Sequence, residues 1–138
     1  HNVPFDKVIL EITEDLFIKD FDLVDKIINK LHKRGIQISI DDFGTGYSSL
    51  NYIQKINADE LKIDKSFVHE ILEDKQKRVL FHSICQIAKT YNFKIVVEGV
   101  ETQKQSEEVM TEDINYVQGY FYSVPETIED YEIKDLSN

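Results

Sequence analysis

The sequence contains no tryptophan, a single cysteine, a single methionine and two prolines among its 138 residues. One cysteine, Cys85, excludes an internal disulfide, and its apolar helical phase with Phe81 and Ala88 places it in the core. No apolar run is long enough for a bilayer crossing. The first residues, His1 to Asp6, have neither the basic nor the apolar region of a secretion leader. The expectation is a cytoplasmic product with no membrane segment in this chain. Cations are short as well: 16 Lys and Arg stand against 26 Asp and Glu, a net charge of −10. That balance argues against a nucleic-acid polymer as partner, because no surplus of cations exists to displace counterions. A small anionic ligand would need metal ions to help hold it. The four histidines, His1, His32, His69 and His82, show no paired ligand spacing, so structural zinc is set aside.

What is present centres on Asp41 to Leu50, D-D-F-G-T-G-Y-S-S-L. Ile36 to Ile40, with β-branched residues at alternate positions, reads as a strand leading into it. Leu50, Ile53 and Ile56 at helical spacing read as a helix leaving it, with Ser48 or Ser49 as its cap. Val8 to Ile12 alternates as a strand that carries Glu11. Asp20 caps a helix with Val24, Ile27, Ile28 and Leu31 inward, and Gly35 ends it. Asp59 to Asp64 is a third strand, with Leu61 and Ile63 on one side and Glu60, Lys62 and Asp64 on the other. A short helical segment around Phe67 to Leu72 precedes a helix over Gln76 to Tyr91, with Leu80, Ile84, Ile87, Ala88 and Tyr91 inward. Phe93 to Glu98 and Tyr116 to Tyr120 are the last strands. Between them Thr102 opens a poorly apolar helix with Ser106 and Glu108 where packing calls for apolar residues, and an acidic helix is expected after Pro125.

Strand and helix alternate without hairpin signals, which means parallel strands joined by crossovers. One strand face is apolar and the other small or charged, which are the outer face and the interior mouth of a (β/α) barrel rather than the two covered faces of an open sheet. The charged face carries Glu11, Asp41, Lys62, Glu98 and Gln118 toward the carboxyl ends of the strands, and Gly44, Gly46, Gly99 and Gly119 follow those residues closely. Glu11, Asp41, Asp42, Glu98 and Glu101 gathered at one mouth repel one another strongly, and Lys62 alone cannot balance them. Oxygen-only donors point to Mg²⁺ or Mn²⁺, in a number that allows two ions. Such two-metal sites cleave phosphodiesters, with Lys62 placed to orient or deprotonate the attacking water.

E-I-T-E (Glu11 to Glu14), D-D-F-G-T-G-Y-S-S-L, L-K-I-D-K-S-F-V (Leu61 to Val68), V-V-E-G-V-E-T (Val96 to Thr102) and Y-V-Q-G-Y (Tyr116 to Tyr120) together resemble, in order, the signatures of the EAL domain. That family comprises bacterial phosphodiesterases that linearise the second messenger cyclic di-GMP to pGpG on a (β/α)₈ TIM-like barrel. The resemblance implies metal ligation by Glu11, Asp41 and Asp42, with Glu101 tied to the metal centre. It also implies that Lys62 and Glu98 act on the catalytic water and that Gln118 and Asp64 line the substrate site. Glu14 is implied to hold the loop of Gly44, Thr45, Gly46, Tyr47 and Ser48, which in this family is linked to dimerisation and metal binding.

The Glu-Ala-Leu tripeptide and an Asn ligand of the family are absent, so residues 1–138 are expected to be the carboxyl-terminal part of one EAL domain without an internal boundary. About five βα units fit, where a complete (β/α)₈ barrel takes about 250 residues. The expected consequences are poor activity of the fragment alone and a homo-oligomer joined through sheet edges. The parent can also carry an upstream sensory or GGDEF-type domain. A non-catalytic cyclic di-GMP-binding or dimerisation module is the alternative.

Overall fold

The computed structural model describes residues 3–44 and 50–125. The expected roles of Thr45, Gly46, Tyr47 and Ser48, the Ser48 or Ser49 cap and the acidic terminal helix lie outside the described residues. Five parallel strands form one sheet: β1 Ile9–Thr13, β2 Gln37–Phe43, β3 Glu60–Ile63, β4 Lys94–Val97 and β5 Tyr116–Val117. Their order in space, β1-β2-β3-β4-β5, is their order in the chain. A doubly wound sheet reverses direction at a switch point, whereas a barrel wall advances one strand at a time, and this sheet does the latter.

Helices fill the crossovers: α1 Glu14–Lys19, α2 Phe21–His32, α3 Leu50–Ile53, α4 Lys65–His69, α5 Lys75–Thr90 and α6 Gln103–Val109. Asp20 accepts the Leu23 N–H at 3.2 Å to start α2, and Asp74 accepts from Gln76 and Lys77 at the start of α5. α1 has no signal in the sequence pattern of Glu14 to Lys19. Three consecutive apolar residues there give no helical period, and no side chain caps its start. β5 is also shorter than the expected Tyr116 to Tyr120. Gln118 lies beyond it, though its N–H still donates to Val97 O at 2.8 Å.

The core lies between the sheet and its helices, with Ile28, Ile38, Ile40, Ile53, Leu61, Ile63, Phe81, Ile95 and Val97 fully buried. Each such side chain contributes about 1.5–3 kcal/mol relative to exposure. Along α5 the buried set is Phe81, Ile84, Cys85 and Ala88, spaced i, i+3, i+4, i+7, so Leu80 and Tyr91, expected inward, face out. Ile27 faces out of α2 for the same reason, since Val24 and Ile28 define its inner stripe. Burial pushes the Cys85 thiol up to about 12, so it behaves as an inert core residue. At the β1 edge Ile9 and Leu10 are exposed, because no described strand covers them.

The polar residues of α6 and of the turn that follows it are paired with α5 and with Tyr122 rather than left unpacked. Glu108 lies 3.2 Å from Arg78 Nε, Ser106 Oγ pairs with the Tyr122 hydroxyl at 2.6 Å, and Glu112 accepts from His82 Nδ1 at 2.9 Å and from Lys89 Nζ at 2.6 Å. The Lys89 hydrogen bond, aided by His82 and opposed by burial, holds the Glu112 carboxyl below its ordinary value of 4.5. A depressed carboxyl stabilises the fold above its unfolded value and loses that contribution as pH falls through the folded one. Replacing Glu112 with Gln is therefore expected to cost about 1 kcal/mol at neutral pH. In denaturant melts the difference from the parent sequence should shrink as pH falls from the ordinary 4.5 through the lowered folded value.

Candidate metal and phosphodiester site

Parity and register bring the ionisable residues together. Glu11 pairs with Ser39 and Thr13 with Asp41 across β1 and β2, while Lys62 pairs with Val96 across β3 and β4. Residues two apart share a face, so Glu11, Asp41, Lys62 and Glu98 point to the same side near the carboxyl ends of their strands. Between β2 and β3 the register runs from Ile40↔Leu61 to Phe43↔Ile63, which leaves an extra residue in β2. That bulge holds the two aspartates, with Asp42 at φ +56°, a left-handed conformation that Asp tolerates better than most residues. The sequence reading ended this strand at Ile40. The structure carries it through the aspartates to Phe43.

Lys62 is the hub. Its Nζ lies 2.8 Å from Glu11 Oε1, 2.8 Å from Glu98 Oε1 and 3.2 Å from Asp41 Oδ1, and its side chain is 9% exposed. Burial opposes the ammonium charge, but the hydrogen bonds to Glu11 and Glu98, with Asp41 alongside, outweigh it and hold the Lys62 pKa well above the ordinary 10.5. Asp41 Oδ1 is buried and, despite the nearby ammonium, has no well-directed hydrogen bond. Three carboxylates against one ammonium leave two surplus negative charges. The donor chemistry, oxygen only with a buried carboxylate atom that lacks a well-directed hydrogen bond, fits a hard divalent cation. Among the described residues no group of three acidic, His or Cys side chains is arranged as a metal cage. The carboxylates are drawn in on Lys62 instead.

Glu98 connects this cluster to a cleft of about 510 Å³, also lined by Lys65, His69, Glu101, Gln118 and Tyr120. Glu101 Oε1 is 3.6 Å from His69 Nε2 across it. Gly99, at φ +72°, lets the start of α4 approach so closely that an added Cβ would overlap Lys65 Cβ. Gly119 packs on the backbone of Val100, with no room for a side chain. Asp42 is exposed at the bulge, outside the Lys62 cluster. Asp64 caps α4 by accepting the Ser66 N–H at 2.9 Å; burial raises its pKa, but the Ser66 hydrogen bonds lower it below the ordinary 3.8. Glu14 is buried, and its Oε2 accepts the Gly44 N–H at 3.2 Å, which ties the start of α1 to the end of β2. Lys65 and His69 were not singled out from sequence, although their i, i+4 spacing puts both on one face of α4. Gln105 was missed too, although T-x-x-Q from Thr102 is a readable capping-box signal.

Comparison with known proteins gives a consistent result. A family model described as the EAL domain matches residues 1–125. The bifunctional diguanylate cyclase/cyclic di-GMP phosphodiesterase MucR of Pseudomonas aeruginosa is 41% identical over 125 residues, which cover 91% of this chain and 18% of that protein. A solved PaMucR phosphodiesterase in complex with c-di-GMP superimposes with a TM-score of 0.88 at 40% identity, covering 94% of this chain and 52% of that one. BlrP1 of Klebsiella pneumoniae, solved with manganese and cy-diGMP, superimposes with a TM-score of 0.79 at 30% identity, covering 86% and 30%. The chain thus spans about half of the solved MucR chain and a smaller share of the other two proteins.

Replacing Lys62 with Met leaves Glu11, Asp41 and Glu98 without their shared cation. The expected cost in metal-free buffer is about 2–4 kcal/mol, the range for an uncompensated buried charge reduced because Glu11 is half exposed. Added Mn²⁺ should raise the melting temperature of Lys62→Met by more than that of the unaltered sequence. Equal shifts would mean that the carboxylates do not share one cation position.

Proposed function

The chain belongs to the EAL domain family, and from that premise we propose that residues 1–138 are the carboxyl-terminal part of an EAL domain that hydrolyses cyclic di-GMP to linear pGpG. The observation that carries this reading is the convergence of Glu11, Asp41 and Glu98 on one point within 3.2 Å of Lys62 Nζ, at the carboxyl ends of parallel strands. Glu11, Asp41 and Asp42 would hold Mg²⁺ or Mn²⁺, two ions in the intact domain, with Glu101 contributing from the cleft. When bound, such ions supply a water acidic enough to attack at neutral pH and positive charge beside the phosphoryl oxygens.

The chain's own residues would divide the remaining work. Lys62, held as an ammonium, donates hydrogen bonds and orients the water. Glu98 sits beside it with a carboxylate able to accept the proton. Gln118 offers an amide to the substrate in the cleft, and Glu14 fixes Gly44 at the entrance to the following loop. A non-catalytic binding module is less well supported, because Glu11, Asp41, Asp42, Lys62, Glu98 and Glu101 are all in place. The bifunctional description of MucR supports an accompanying GGDEF-type or sensory domain in the parent. A cytoplasmic site of action fits the absence, among the described residues, of any helix long and apolar enough to cross a membrane.

Assembly belongs to the same proposal. Two sheet edges, β1 and β5, have a described neighbour on one side only, and Ile9 and Leu10 are exposed on β1. The 138-residue chain alone is expected to be a dimer or larger and to hydrolyse cyclic di-GMP at well under about 1 per second, below the usual range for enzymes. Light scattering that gave a folded 16.2 kDa monomer at micromolar concentration would exclude the assembly.

In the intact domain, Asp41→Ala and Glu11→Ala should abolish pGpG formation by weakening Mn²⁺ binding in calorimetry. Lys62→Ala should keep or tighten Mn²⁺ binding, because an ammonium no longer competes for the same oxygens, and yet lower turnover about 100-fold or more. Loss of the metal in Lys62→Ala, with turnover per bound ion unchanged, would reverse these roles.

A further inference from the structure

We propose that Gln105 is a positioning residue for the site: its side chain clamps the backbone beneath Glu101 to α4 and so fixes Glu101 across the cleft. The proposal rests on the reading above that Glu101 contributes to the metal centre. Gln105 is 8% exposed, one of few buried polar side chains in the described chain, and it uses both ends of its amide. Oε1 accepts from the Glu101 N–H at 2.9 Å and the Thr102 N–H at 3.0 Å, while Nε2 donates to Val68 O at 3.3 Å.

Only part of this is helix capping. The capping box of α6 needs the Gln105 N–H to meet Thr102 Oγ1, at 3.2 Å, and Gln105 Oε1 to meet the Thr102 N–H. The bonds to Glu101 and Val68 exceed that requirement and reach two other segments. Val68 is fully buried in α4 and precedes His69, whose ring faces the Glu101 carboxylate at 3.6 Å. One amide thus ties the backbone of Glu101 to that of Val68, the residue next to His69. Glu101 is half exposed and projects from a loop just past β4. Without the clamp it would have to pay the ordering entropy of that loop each time it reached an ion.

The test uses the intact domain and Mn²⁺ alone, read by calorimetry, with amide hydrogen exchange at Glu101 as a second readout. Gln105→Leu should weaken Mn²⁺ binding about 10–100-fold, the usual effect of removing a residue that orients a ligand, and should speed exchange of the Glu101 N–H. Thr102→Ala removes the other half of the capping box and destabilises α6, but should leave both readouts close to wild type. Gln105→Glu can still accept from Glu101 and Thr102 but cannot donate to Val68 O, so it should keep the helix cap and still weaken Mn²⁺ binding, which keeps the test decisive even if the leucine variant folds poorly. Equal losses of Mn²⁺ affinity in Thr102→Ala and Gln105→Leu, or none in Gln105→Leu, would overturn the proposal. A wild-type domain that took up no Mn²⁺ would overturn the metal reading and the role with it. Slow wild-type exchange at Glu101, lost in Gln105→Leu, would then identify the clamp as purely structural.

Discussion

Lys62 lies at the centre of a balance that the rest of the sheet is arranged to produce. A buried ammonium alone is costly, and three converging carboxylates alone are costlier; together they form a group whose members hold one another charged. The group nevertheless remains short of positive charge. A protein designed only for stability would match the charges or replace them with apolar residues of similar volume. An excess of carboxylate oxygen around a single exchangeable cation suits a site that must take up divalent ions.

The backbone makes this concentration of charge possible. Five parallel strands in sequential order bring Glu11, Asp41, Lys62 and Glu98 from four separate strand ends to one side of the sheet. The bulge between Ile40 and Phe43 adds the residue that fits both aspartates at the end of β2. Close approaches at Gly99 and Gly119 bring the start of α4, the 98–101 segment and the end of β5 into contact, and these form the cleft next to the cluster. Polar contacts then hold the outer layer, with Glu108 securing α6 and Glu112 securing the turn after it to α5, and Gln105 securing α6 to α4.

Much of this was legible in the sequence because it depends on local period and spacing. Alternation placed Glu11, Lys62 and Asp41 on the charged face, and helical phase placed Cys85 with Phe81 in the core. Other features depend on contacts that no local pattern encodes. The bulge arises from the pairing of β2 with β3, so the strand was expected to end at Ile40. Leu80 and Ile27 sit next to the inner stripes of their helices, one residue away from burial, and only the packed sheet selects the phase. The polar face of α6 looked unsuited to packing because its partners, Arg78 and His82 on α5 and Tyr122 after β5, lie elsewhere in the chain. Asp64, expected at the site, also accepts the Ser66 N–H and caps α4, a bond that strand alternation does not show.

The most direct test of the central claim is anomalous diffraction at the manganese edge from crystals of the intact domain grown with Mn²⁺. The account predicts density for bound ions within about 2.0–2.4 Å of Glu11 and Asp41 carboxylate oxygens, with Lys62 Nζ withdrawn from the position between them. Lys62 still centred among Glu11, Asp41 and Glu98, with no anomalous density near those oxygens at saturating Mn²⁺, would contradict it.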